Sequence, residues 1–378
     1  PHIILWRGMP PLRISQGIRK LLWRRALSML LRHRLPEAPT EPGKHWRTFM
    51  IYIDTASSDV YYNFGCEYYF AAEKIFKDTV FLFWRTSPTL MVGKYQNMAE
   101  EVNMPYVKAH NINLVRRMSG GGTIYTDMGG WQFTFIDRNT ENTIEFQKYI
   151  APVIEALALF GVKAEFNGRN DLCIENKKIS GNAQYKLGDS IIHHGSLLFD
   201  TYIEGMVNAT TVDSYKIISK SIKSVRDRVT NISEHIKGRD ITAEDFKKAM
   251  VDSILQANAI KEIYKISPED DKRIRELAVE KFNNWDSIYG RNPKFNIEKT
   301  GRFEGGKISF KLDVVHGKIE SAFVSGDFFS TLDAKDIESA LVGCAFDKES
   351  VYNALKEKNI DRAIYKISAM EIAKMIAE

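Results

Sequence analysis

The chain has 378 residues, of which 44% are apolar and 27% charged, a composition typical of a folded globular protein. Its three cysteines, Cys66, Cys173 and Cys344, lie far apart without CxxC spacing. This spacing argues against a disulfide framework or a zinc knuckle and predicts a cytoplasmic protein. No stretch approaches the ~20 consecutive apolar residues of a membrane span, so we expect no membrane partner.

Basic residues are concentrated at the N terminus. Residues 1–49 contain ten Lys and Arg against two Glu, which leaves 43 basic and 46 acidic residues, a net charge of about −3, for residues 50–378. A nucleic-acid partner is therefore not expected. The stretch ISQGIRKLLWRRALSMLLRHRL has the pattern of a basic amphipathic helix and resembles a mitochondrial transit peptide, and the linker PEAPTEPGK follows it. Because the chain opens on Pro1, we expect residues 1–49 to be an extension added for expression or derived from an upstream region; a targeting segment or a membrane- or partner-binding helix are the alternatives.

The body of the chain alternates strand and helix patterns. Strands are predicted for TVFLFWRT, TLMVGKYQN, INLVRRMS, GTIYT and WQFTFI, and later for KAEFN, DLCIEN, KKISGNAQYK and IIHHGSLLF. Helical spacing over residues 143–160 ends at Gly161, the capping box Thr242 to Asp245 opens a second helix, and a third spans about 267–283. This order predicts a large mixed α/β (α+β) domain over residues 50–297.

The sequence pattern changes near residue 298. RFEGGKISFKLDVVHGKIESAFVSGDFF reads as a β-meander with a turn at His316-Gly317, and AKDIESALVG, KESVYNALKE and SAMEIAKMIA read as helices. Strands followed by segregated helices predict a small α+β accessory domain over residues 298–378.

A glycine-rich turn is the first candidate for an anion-binding site. MSGGGTIYTDMGG, residues 118–130, follows Arg116-Arg117. Successive glycines can present several backbone N–H groups to one anion, and an arginine fork suits phosphate or carboxylate oxygens. Neighbouring side chains of a strand point to opposite faces, so only one of the two arginines should face the site. The turn is neither a Walker A loop nor a GxGxxG loop, and a tight hairpin with a surface arginine is the alternative.

A second constellation lies in NGRNDLCIENKKISGNAQ, residues 167–184. Asn170 and Asp171 could hold a ribose, a base edge or Mg²⁺. A lysine of the pair Lys177-Lys178 that reached an α-phosphate and a substrate carbonyl together would stabilise the charge that develops in nucleotidyl transfer. Taken singly, each pair is better explained by structure alone, Asn170-Asp171 as a β-turn and Lys177-Lys178 as a solvated hairpin.

The third candidate segment is HHGSLLFD. Adjacent histidines on a strand face opposite ways, so they are poorly placed to ligate one metal, and one of them should line a pocket while the other is core or surface. Cys173 is the cysteine nearest in sequence, and nothing in the sequence indicates that its thiol is activated.

Taken in order, these stretches resemble the lipoate–protein ligase A family. The family pattern RRxSGGGxVxxD corresponds to RRMSGGGTIYTD, and the other matches are GRNDLCIENKKISGNAQ, HHGSLLF, KSVRDRVTNI and NNWDSIYGRNPKFN. The resemblance runs from about Met50 to the C terminus. It implies the biotin/lipoate ligase fold, with mixed β-sheets flanked by helices and with residues 50–297 as the catalytic domain.

The resemblance also implies a reaction. Lipoate and Mg-ATP would give lipoyl-AMP and pyrophosphate, and the lipoyl group would then pass to a lysine of an acceptor. Acceptors implied are the lipoyl domains of 2-oxoacid dehydrogenase E2 subunits and the glycine-cleavage H protein, with the ligase a monomer. Such a site must neutralise α-phosphate charge and keep a reactive adenylate from water.

Roles for individual residues follow from the same motif matches. Lys178 would be the catalytic residue and would touch both lipoate and the α-phosphate, His194 would bind lipoate, and Asp171 would bind Mg²⁺. The residues implied to bind ATP or lipoyl-AMP, together with Lys178, are Arg117, Ser119, Gly121, Gly122, Thr123, Ile124, Tyr125, Asn170, Asp171, Gly181 and Ala183.

Departures from the family pattern leave alternatives open. Many relatives read AVYHDLGNLNFSF where this chain reads TIYTDMGGWQFTF, so Thr126 replaces a histidine, and Gly130 and Gln132 replace asparagines. Acyl-chain or nucleotide preference is therefore not fixed by the resemblance. An ATP-independent octanoyl or lipoyl transferase of the same fold would need a cysteine thiolate, and neither Cys66 nor Cys173 matches that motif. A non-catalytic lipoyl-adenylate-binding regulator is the other alternative.

Overall fold

The computed structural model describes residues 49–96, 98–138, 143–210, 224–237, 241–257, 259–284, 287–288, 295, 297–315 and 317–377, all within one compact unit. Residues 1–48 of the N-terminal extension lie outside the described residues. So do Lys223 of the KSVRDRVTNI match, most of NNWDSIYGRNPKFN, and His316 of the predicted turn.

Three β-sheets are present in the described part of the chain. An eight-stranded sheet has the order β11-β1-β2-β6-β10-β9-β8-β7, parallel across β11-β1-β2 and antiparallel beyond β2. Two three-stranded sheets have the orders β4-β3-β5 and β12-β13-β14. The strands are β1 Phe49–Ile53, β2 Thr79–Trp84, β3 Thr89–Val92, β4 Asn113–Arg116, β5 Ile124–Thr126, β6 Gly130–Arg138, β7 Glu165–Phe166, β8 Asp171–Ile174, β9 Lys177–Leu187, β10 Ser190–Leu198, β11 Ala259–Tyr264, β12 Ile297–Phe303, β13 Gly306–Val315 and β14 Lys318–Gly326.

Helices cover these sheets. They are α1 Val60–Ala72, α2 Met98–Glu101, α3 Met104–Ala109, α4 Gln147–Ala158, α5 Ile203–Thr210, α6 Ala243–Ala257, α7 Pro268–Leu277, α8 Ala334–Leu341, α9 Lys348–Glu357, α10 Ile360–Ala363 and α11 Ala369–Ala377, with a 3₁₀ turn Ile232–His235 and a π-helical turn Ala278–Phe282 after α7. The predicted fold class, mixed sheets with helices and a smaller C-terminal α+β part, is confirmed. No helix in the described ranges is both long and apolar enough to cross a membrane.

Helix α1 covers one face of the large sheet. Asp59 caps its N terminus by accepting from the amides of Tyr61 and Tyr62, which satisfies donors that a helix start leaves free. Phe64 of α1 contacts Trp84 edge-on and stacks on Phe282 of the π-helical turn. The helix is thus held between the sheet and the α7 segment, and its residues form one continuous core with both.

The opposite face of the large sheet has an aromatic core. Phe81 stacks on Phe135, and Phe83 stacks on Trp131, with centroids 4.9 and 5.3 Å apart. Tyr149 of α4 packs against Phe135 at 6.0 Å. Because both faces are covered, β2 is buried along its whole length, which explains why TVFLFW is apolar without alternation.

The C-terminal part has its own core between the β12-β13-β14 sheet and helices α8 to α11. Tyr95, from the loop after β3, enters this core. Its ring stacks on Phe328 at 4.3 Å and its hydroxyl donates to the Leu332 carbonyl. This contact brings residues 326–329 against the loop that joins β4 to β5.

Candidate active site

A cleft opens over the face of the large sheet that α1 covers. Strand pairing places Trp84, Gln132 and Ser196 side by side on β2, β6 and β10. Gly181 on β9 neighbours Ser196, and its amide lies 3.4 Å from the Ser196 hydroxyl. The cleft has about 560 Å³ of atom-free space, its open mouth included, and is lined by Phe64, Trp84, Met91, Arg117, Gly121, Gly122, Thr123, Ile124, Gln132, Asn170, Lys178, Gly181, Asn182, Ala183, His194, Gly195 and Ser196.

Arg117 holds the glycine loop, residues 118–123, in its shape. Its guanidinium donates to the carbonyls of Met91, Gly120 and Gly122 at 2.6, 3.0 and 2.8 Å, and its Nε donates to the Ser119 hydroxyl. Arg117 is only 5% exposed, and no carboxylate among the described residues pairs with it. Burial, with a contribution from the neighbouring Arg116, lowers the pKa of the guanidinium to about 10, so it is still charged at pH 7.

A buried cation whose partners are all neutral leaves positive potential in the cleft. The arginine that precedes it in the sequence, Arg116, donates to the carbonyls of Gly93, Gln96 and Ile288 and does not line the cleft. The cleft therefore favours an anionic ligand on the side of Arg117.

The glycine loop does not present all of its amides to the cleft. The Gly121 amide donates to the carbonyl of Phe328 at 3.0 Å, so in this arrangement it is not open to a phosphate. A Cβ on Gly120 would lie 1.9 Å from the same carbonyl, and Gly121 has φ +89°. Gly120 is thus required because residues 328–329 pack closely against it, and Gly121 is required because its backbone is left-handed. Both requirements hold whether or not the loop binds a ligand.

Lys178 reaches the cleft from the start of β9. Its ammonium lies 2.8 Å from Asp171, and its backbone is held on both sides by the Arg228 carbonyl and the Thr230 amide. A Cβ on Gly181 would lie 3.0 Å from the Lys178 ammonium, so that glycine leaves the space the lysine occupies. Residues 228–230, part of the match around VRDRVTNI, therefore position this lysine.

Asn170 is tied into the sheet beside Lys178. Its side chain donates to the Asn182 carbonyl at 3.0 Å, and the Asn182 side chain donates to the Asn170 carbonyl at the same distance. This reciprocal pair fixes the turn before β8 and with it the carboxylate of Asp171. Asn170 thus has the structural role of holding this turn, and it also lines the cleft.

A buried polar network runs behind the cleft. His194 lies 2.6 Å through Nε2 from the Ser119 hydroxyl and 3.1 Å through Nδ1 from both oxygens of Glu67. Glu67 also accepts from the hydroxyls of Thr134 and Tyr185. Since a carboxylate only accepts, Nδ1 carries a proton that it donates toward Glu67, and Nε2 lies within hydrogen-bond distance of the Ser119 hydroxyl. The network connects α1 to Arg117 through Ser119.

His193 faces the other side of the sheet, as the strand alternation predicts. Its ring stacks on Tyr149 at 4.8 Å, it is fully buried, and burial together with the neighbouring His194 lowers its pKa well below the ordinary value. It is a neutral core residue, and the two histidines do not converge on a common point.

Most of the predicted site residues meet at the cleft. Ten of the thirteen line it: Arg117, Gly121, Gly122, Thr123, Ile124, Asn170, Lys178, Gly181, Ala183 and His194. Ser119 lies behind the cleft in the polar network, and Asp171 reaches it through the Lys178 ion pair. Tyr125 lies in the core between the small sheet and α3, so its side chain is placed away from the cleft.

Several lining residues were missed by the sequence analysis, chiefly Phe64, Trp84, Met91, Asn182 and Ser196. Strand alternation could have found Ser196, because it lies two residues from His194 on β10 and thus on the same face. Phe64 and the buried Glu67 belong to α1, for which the sequence analysis made no assignment.

The three cysteines offer no nucleophile at the cleft, since none of them lines it. Burial raises the pKa of the Cys66 thiol, and it also raises that of Cys173 and Cys344. Within the described residues, no group of three or more His, Cys, Asp or Glu side chains is arranged to hold a metal ion.

Two family models cover most of the chain. The model of the lipoyl protein ligase A/B catalytic domain matches residues 59–255, and that of the bacterial lipoate protein ligase C-terminus matches residues 292–376. The chain belongs to the lipoate–protein ligase A/B family. Its resemblance to that family, first seen in five short motifs, is confirmed, and the protein is an enzyme, a lipoate–protein ligase.

Individual ligases match over nearly their whole length. Lipoate–protein ligase 1 of Staphylococcus aureus is 40% identical over 83% of this chain and 96% of its own. Lipoate-protein ligase LplJ of Bacillus subtilis is 38% identical over 82% of this chain and 95% of its own. Among solved structures, P. falciparum LipL1 in complex with lipoate has the same fold, with a TM-score of 0.68 and 23% identity over 82% of this chain and 96% of LipL1.

Proposed function

We propose that this ligase works in two half-reactions at the cleft. In the first, a lipoate carboxylate oxygen attacks the α-phosphorus of ATP, so that lipoyl-AMP forms and pyrophosphate leaves. In the second, the ε-amine of an acceptor lysine attacks the lipoyl carbonyl carbon, and AMP leaves as the amide forms. The observation that carries the proposal is that the Lys178 ammonium and the buried Arg117 guanidinium line one cleft.

Lys178 suits the charge that develops in both steps. Negative charge grows on the phosphoryl and acyl oxygens as each bond forms, and a fixed ammonium near them lowers the barrier. Among the described residues Lys178 is paired with one carboxylate, Asp171, at 2.8 Å, and its side chain is about one third exposed. It is therefore anchored and yet open to a ligand.

Arg117 and the glycine loop would receive the anionic part of the adenylate. The guanidinium stays charged, and its hydrogen bonds go to neutral carbonyls, so its charge is not cancelled by a carboxylate. This positive charge supports binding of phosphate oxygens at the neighbouring backbone of Gly122 and Thr123. Asn170, Gly181, Ala183 and Ile124 would line the nucleotide and the acyl chain. A similar fold is seen in a crystal structure of lipoate-protein ligase A bound with ATP, at a TM-score of 0.52.

Mg²⁺ fits the site as a companion of ATP and not as a resident metal. Magnesium is usually held by one or two carboxylates together with substrate phosphates. Asp171 supplies one such carboxylate beside Lys178, and the described residues contain no larger acidic cluster. With ATP bound, Mg²⁺ would neutralise phosphate charge, and Asp171 would be its protein ligand.

The acceptors proposed are lipoyl domains of 2-oxoacid dehydrogenase E2 subunits and the glycine-cleavage H protein. A bi-partite lipoate protein ligase of Thermoplasma acidophilum, studied with its E2 lipoyl domain, has a related fold at a TM-score of 0.57. The alternative of a cysteine-dependent transferase is disfavoured because none of the three cysteines lines the cleft and burial raises the pKa of each thiol.

Mass spectrometry of an E2 lipoyl domain incubated with the protein, lipoate and Mg-ATP tests the proposal. We expect lipoylation that requires ATP and releases pyrophosphate. Lys178→Ala should slow it by about 10²–10³, the usual cost of removing one donor to a developing oxyanion. The matched control is Lys177→Ala, since Lys177 is adjacent and exposed. Labelling without ATP, or at the parental rate in Lys178→Ala, would refute the proposal.

A further inference from the structure

A line of side-chain hydrogen bonds connects helix α1 to the glycine loop. The ring of His194 lies between the Glu67 carboxylate, 3.1 Å away, and the Ser119 hydroxyl, 2.6 Å away. The Nε of Arg117 donates to the same hydroxyl at 3.3 Å, and its guanidinium donates to the Gly122 carbonyl at 2.8 Å. Helix α1 is thus linked to the wall of the cleft. We call the side chains of Glu67, His194, Ser119 and Arg117 the Glu67 relay.

The first member of the relay is a buried carboxylate. Glu67 is 1% exposed, and its oxygens accept from the hydroxyls of Thr134 and Tyr185 as well as from His194. Even with such donors, a buried charged group often stabilises a fold no better than an apolar residue of similar volume. The rest of α1 packs into the core largely through apolar side chains such as that of Phe64. Packing alone therefore does not explain a carboxylate at this position.

Ser119, His194 and Glu67 are connected in the same order as the members of a hydrolase triad, but they do not work as one. In such a triad the serine oxygen must reach a substrate carbonyl. Ser119 is fully buried and does not line the cleft, and Arg117 donates to its oxygen. The relay therefore holds groups in place and does not supply a nucleophile.

Glu67 controls the orientation of the His194 ring. Because Nδ1 donates toward the carboxylate, the ring is fixed about its side-chain bonds, and Nε2 is directed at the Ser119 hydroxyl. Without a good acceptor at Nδ1 the ring can turn, and the hydroxyl then has the bond from Arg117 but not the contact with His194. Ser119 is the residue at which the glycine loop leaves Arg117, so the start of the loop becomes less well fixed.

We propose that Glu67 is a positioning residue for the nucleotide. Through His194 and Ser119 it holds Arg117 and the glycine loop in the arrangement that receives the phosphates of ATP. The inference rests on the proposed function, which places those phosphates at the backbone beside Arg117. Glu67 does not line the cleft, so it acts through the relay and not by contact with a substrate. A loop that is already ordered loses less conformational freedom when phosphate binds, so the role of Glu67 is measured as affinity for ATP.

Isothermal titration calorimetry of the full chain with Mg-ATP, without lipoate, tests this role. Glu67→Gln keeps the shape of the side chain but replaces one acceptor oxygen by a donor amide. We expect it to weaken Mg-ATP binding by about two- to tenfold, the scale of one hydrogen bond. Ser119→Ala should weaken binding by a similar factor. In the double variant the two factors should not multiply, because both substitutions interrupt the same relay.

Tyr185→Phe is the matched control. The Tyr185 hydroxyl donates to Glu67 at 3.0 Å, so this variant also removes a buried hydrogen bond from the carboxylate, but Tyr185 is outside the relay and does not line the cleft. It should change Mg-ATP binding by less than about twofold, and its effect should multiply with that of Ser119→Ala within about a factor of two. Equal weakening by Tyr185→Phe and Glu67→Gln, or factors for Glu67→Gln and Ser119→Ala that multiply, would mean that Glu67 only stabilises the fold and would overturn the inference.

Hydrogen exchange in the free protein gives a second readout, which does not depend on ATP. The amides of Arg117 and Gly121 both donate to carbonyls of neighbouring segments, so a peptide covering residues 117–123 reports the order of the glycine loop. Exchange in this peptide should be faster in Glu67→Gln and parental in Tyr185→Phe. An unchanged rate in Glu67→Gln, or an equal increase in both variants, overturns the inference.

Two further outcomes keep the test decisive. If Glu67→Gln fails to fold, Ser119→Ala, which leaves Glu67 with its three donors, must show both the weaker Mg-ATP binding and the faster loop exchange, and parental values in it overturn the inference. Pyrophosphate release by the parental protein with lipoate and Mg-ATP is measured in parallel. Its absence contradicts the proposed function, whereas loop exchange and Mg-ATP affinity decide the role of Glu67; parental protein that does not bind Mg-ATP overturns both.

Discussion

Replacing Gly181 by alanine should damage the reaction while leaving the fold intact. The added Cβ would lie 3.0 Å from the Lys178 ammonium and 3.2 Å from its Cε, closer than the 3.5–4.0 Å of ordinary carbon contacts. The lysine is the flexible partner, so the ammonium moves away by several tenths of an ångström. Gly181 lies within β9 and has no positive φ, so alanine is compatible with the backbone.

The magnitude follows from what Lys178 is proposed to do. Removing one donor to a developing oxyanion costs about 10²–10³ in rate, and displacing it costs part of that, about ten- to hundredfold, or about 1.4–2.7 kcal/mol of transition-state stabilisation. Stability should not fall, because glycine in a strand is less stable than alanine by roughly 0.5–1 kcal/mol. Pyrophosphate release under saturating ATP and lipoate measures the first quantity, and urea unfolding measures the second.

Gly195→Ala is the control for a purely steric effect. Its Cβ would lie 2.3 Å from the Phe133 ring and 2.4 Å from the Asn182 side chain, on neighbouring strands. Both partners are buried, so this variant should lose about 1–3 kcal/mol of stability or more. If Gly181→Ala keeps the parental rate of pyrophosphate release while Lys178→Ala is inactive, the argument that Gly181 makes space for the working lysine is wrong.

Two further substitutions test the buried polar groups. Glu67→Gln places an amide among donors and should lower the free energy of unfolding by about 1–3 kcal/mol, and it should change the ¹⁵N NMR shifts of the His194 ring nitrogens. Unchanged ¹⁵N shifts would contradict the network. Burial raises the pKa of Asp270, but hydrogen bonds led by those from Tyr264 and Lys74 outweigh it and lower the pKa overall. The pKa of Asp270 in the folded protein thus lies below its unfolded value of about 3.9. The stabilisation by Asp270 is therefore complete at pH values above about 3.9 and is lost as the pH falls further. Asp270→Asn should flatten the acid limb of the urea midpoint measured between pH 7 and pH 3, and a limb as steep as the parental one would refute this.

Local pattern predicted the strands around the cleft well. IIHHGSLLF forms β10, and alternation along it placed His193 and His194 on opposite faces. The helix predicted over residues 143–160 begins later, at Gln147, because residues before it are used by the sheet: the Gln184 side chain donates to the Thr143 carbonyl. The predicted strand KAEFN is reduced to Glu165–Phe166, which pairs with β8 and is the last strand of the sheet in the described part of the chain.

Elements whose shape depends on distant partners were not predicted. Helix α1, VYYNFGCEYYFAA, is buried on most sides between the large sheet and the α7 segment, so its apolar residues do not form a single stripe. Because α1 was not predicted, the sequence analysis also missed Glu67. Likewise the glycine loop gives no sign that Phe328, about two hundred residues downstream, accepts from the Gly121 amide. Both features are long-range contacts, which local periodicity does not contain.

The two cations of the cleft differ in a way that suits different tasks. Arg117 is fixed by three carbonyls and one hydroxyl and is almost fully buried, so it can set the potential and the shape of the glycine loop but has little freedom to move. Lys178 has one carboxylate partner among the described residues, its side chain is about one third exposed, and its ammonium occupies the space that Gly181 leaves. In the proposed reaction the charge to be stabilised lies first on a phosphoryl group and then on an acyl oxygen. A rotatable ammonium can follow that change, whereas a guanidinium held by four bonds does not. The division of labour therefore explains why the sequence places an arginine beside the glycines and a lysine beside Gly181.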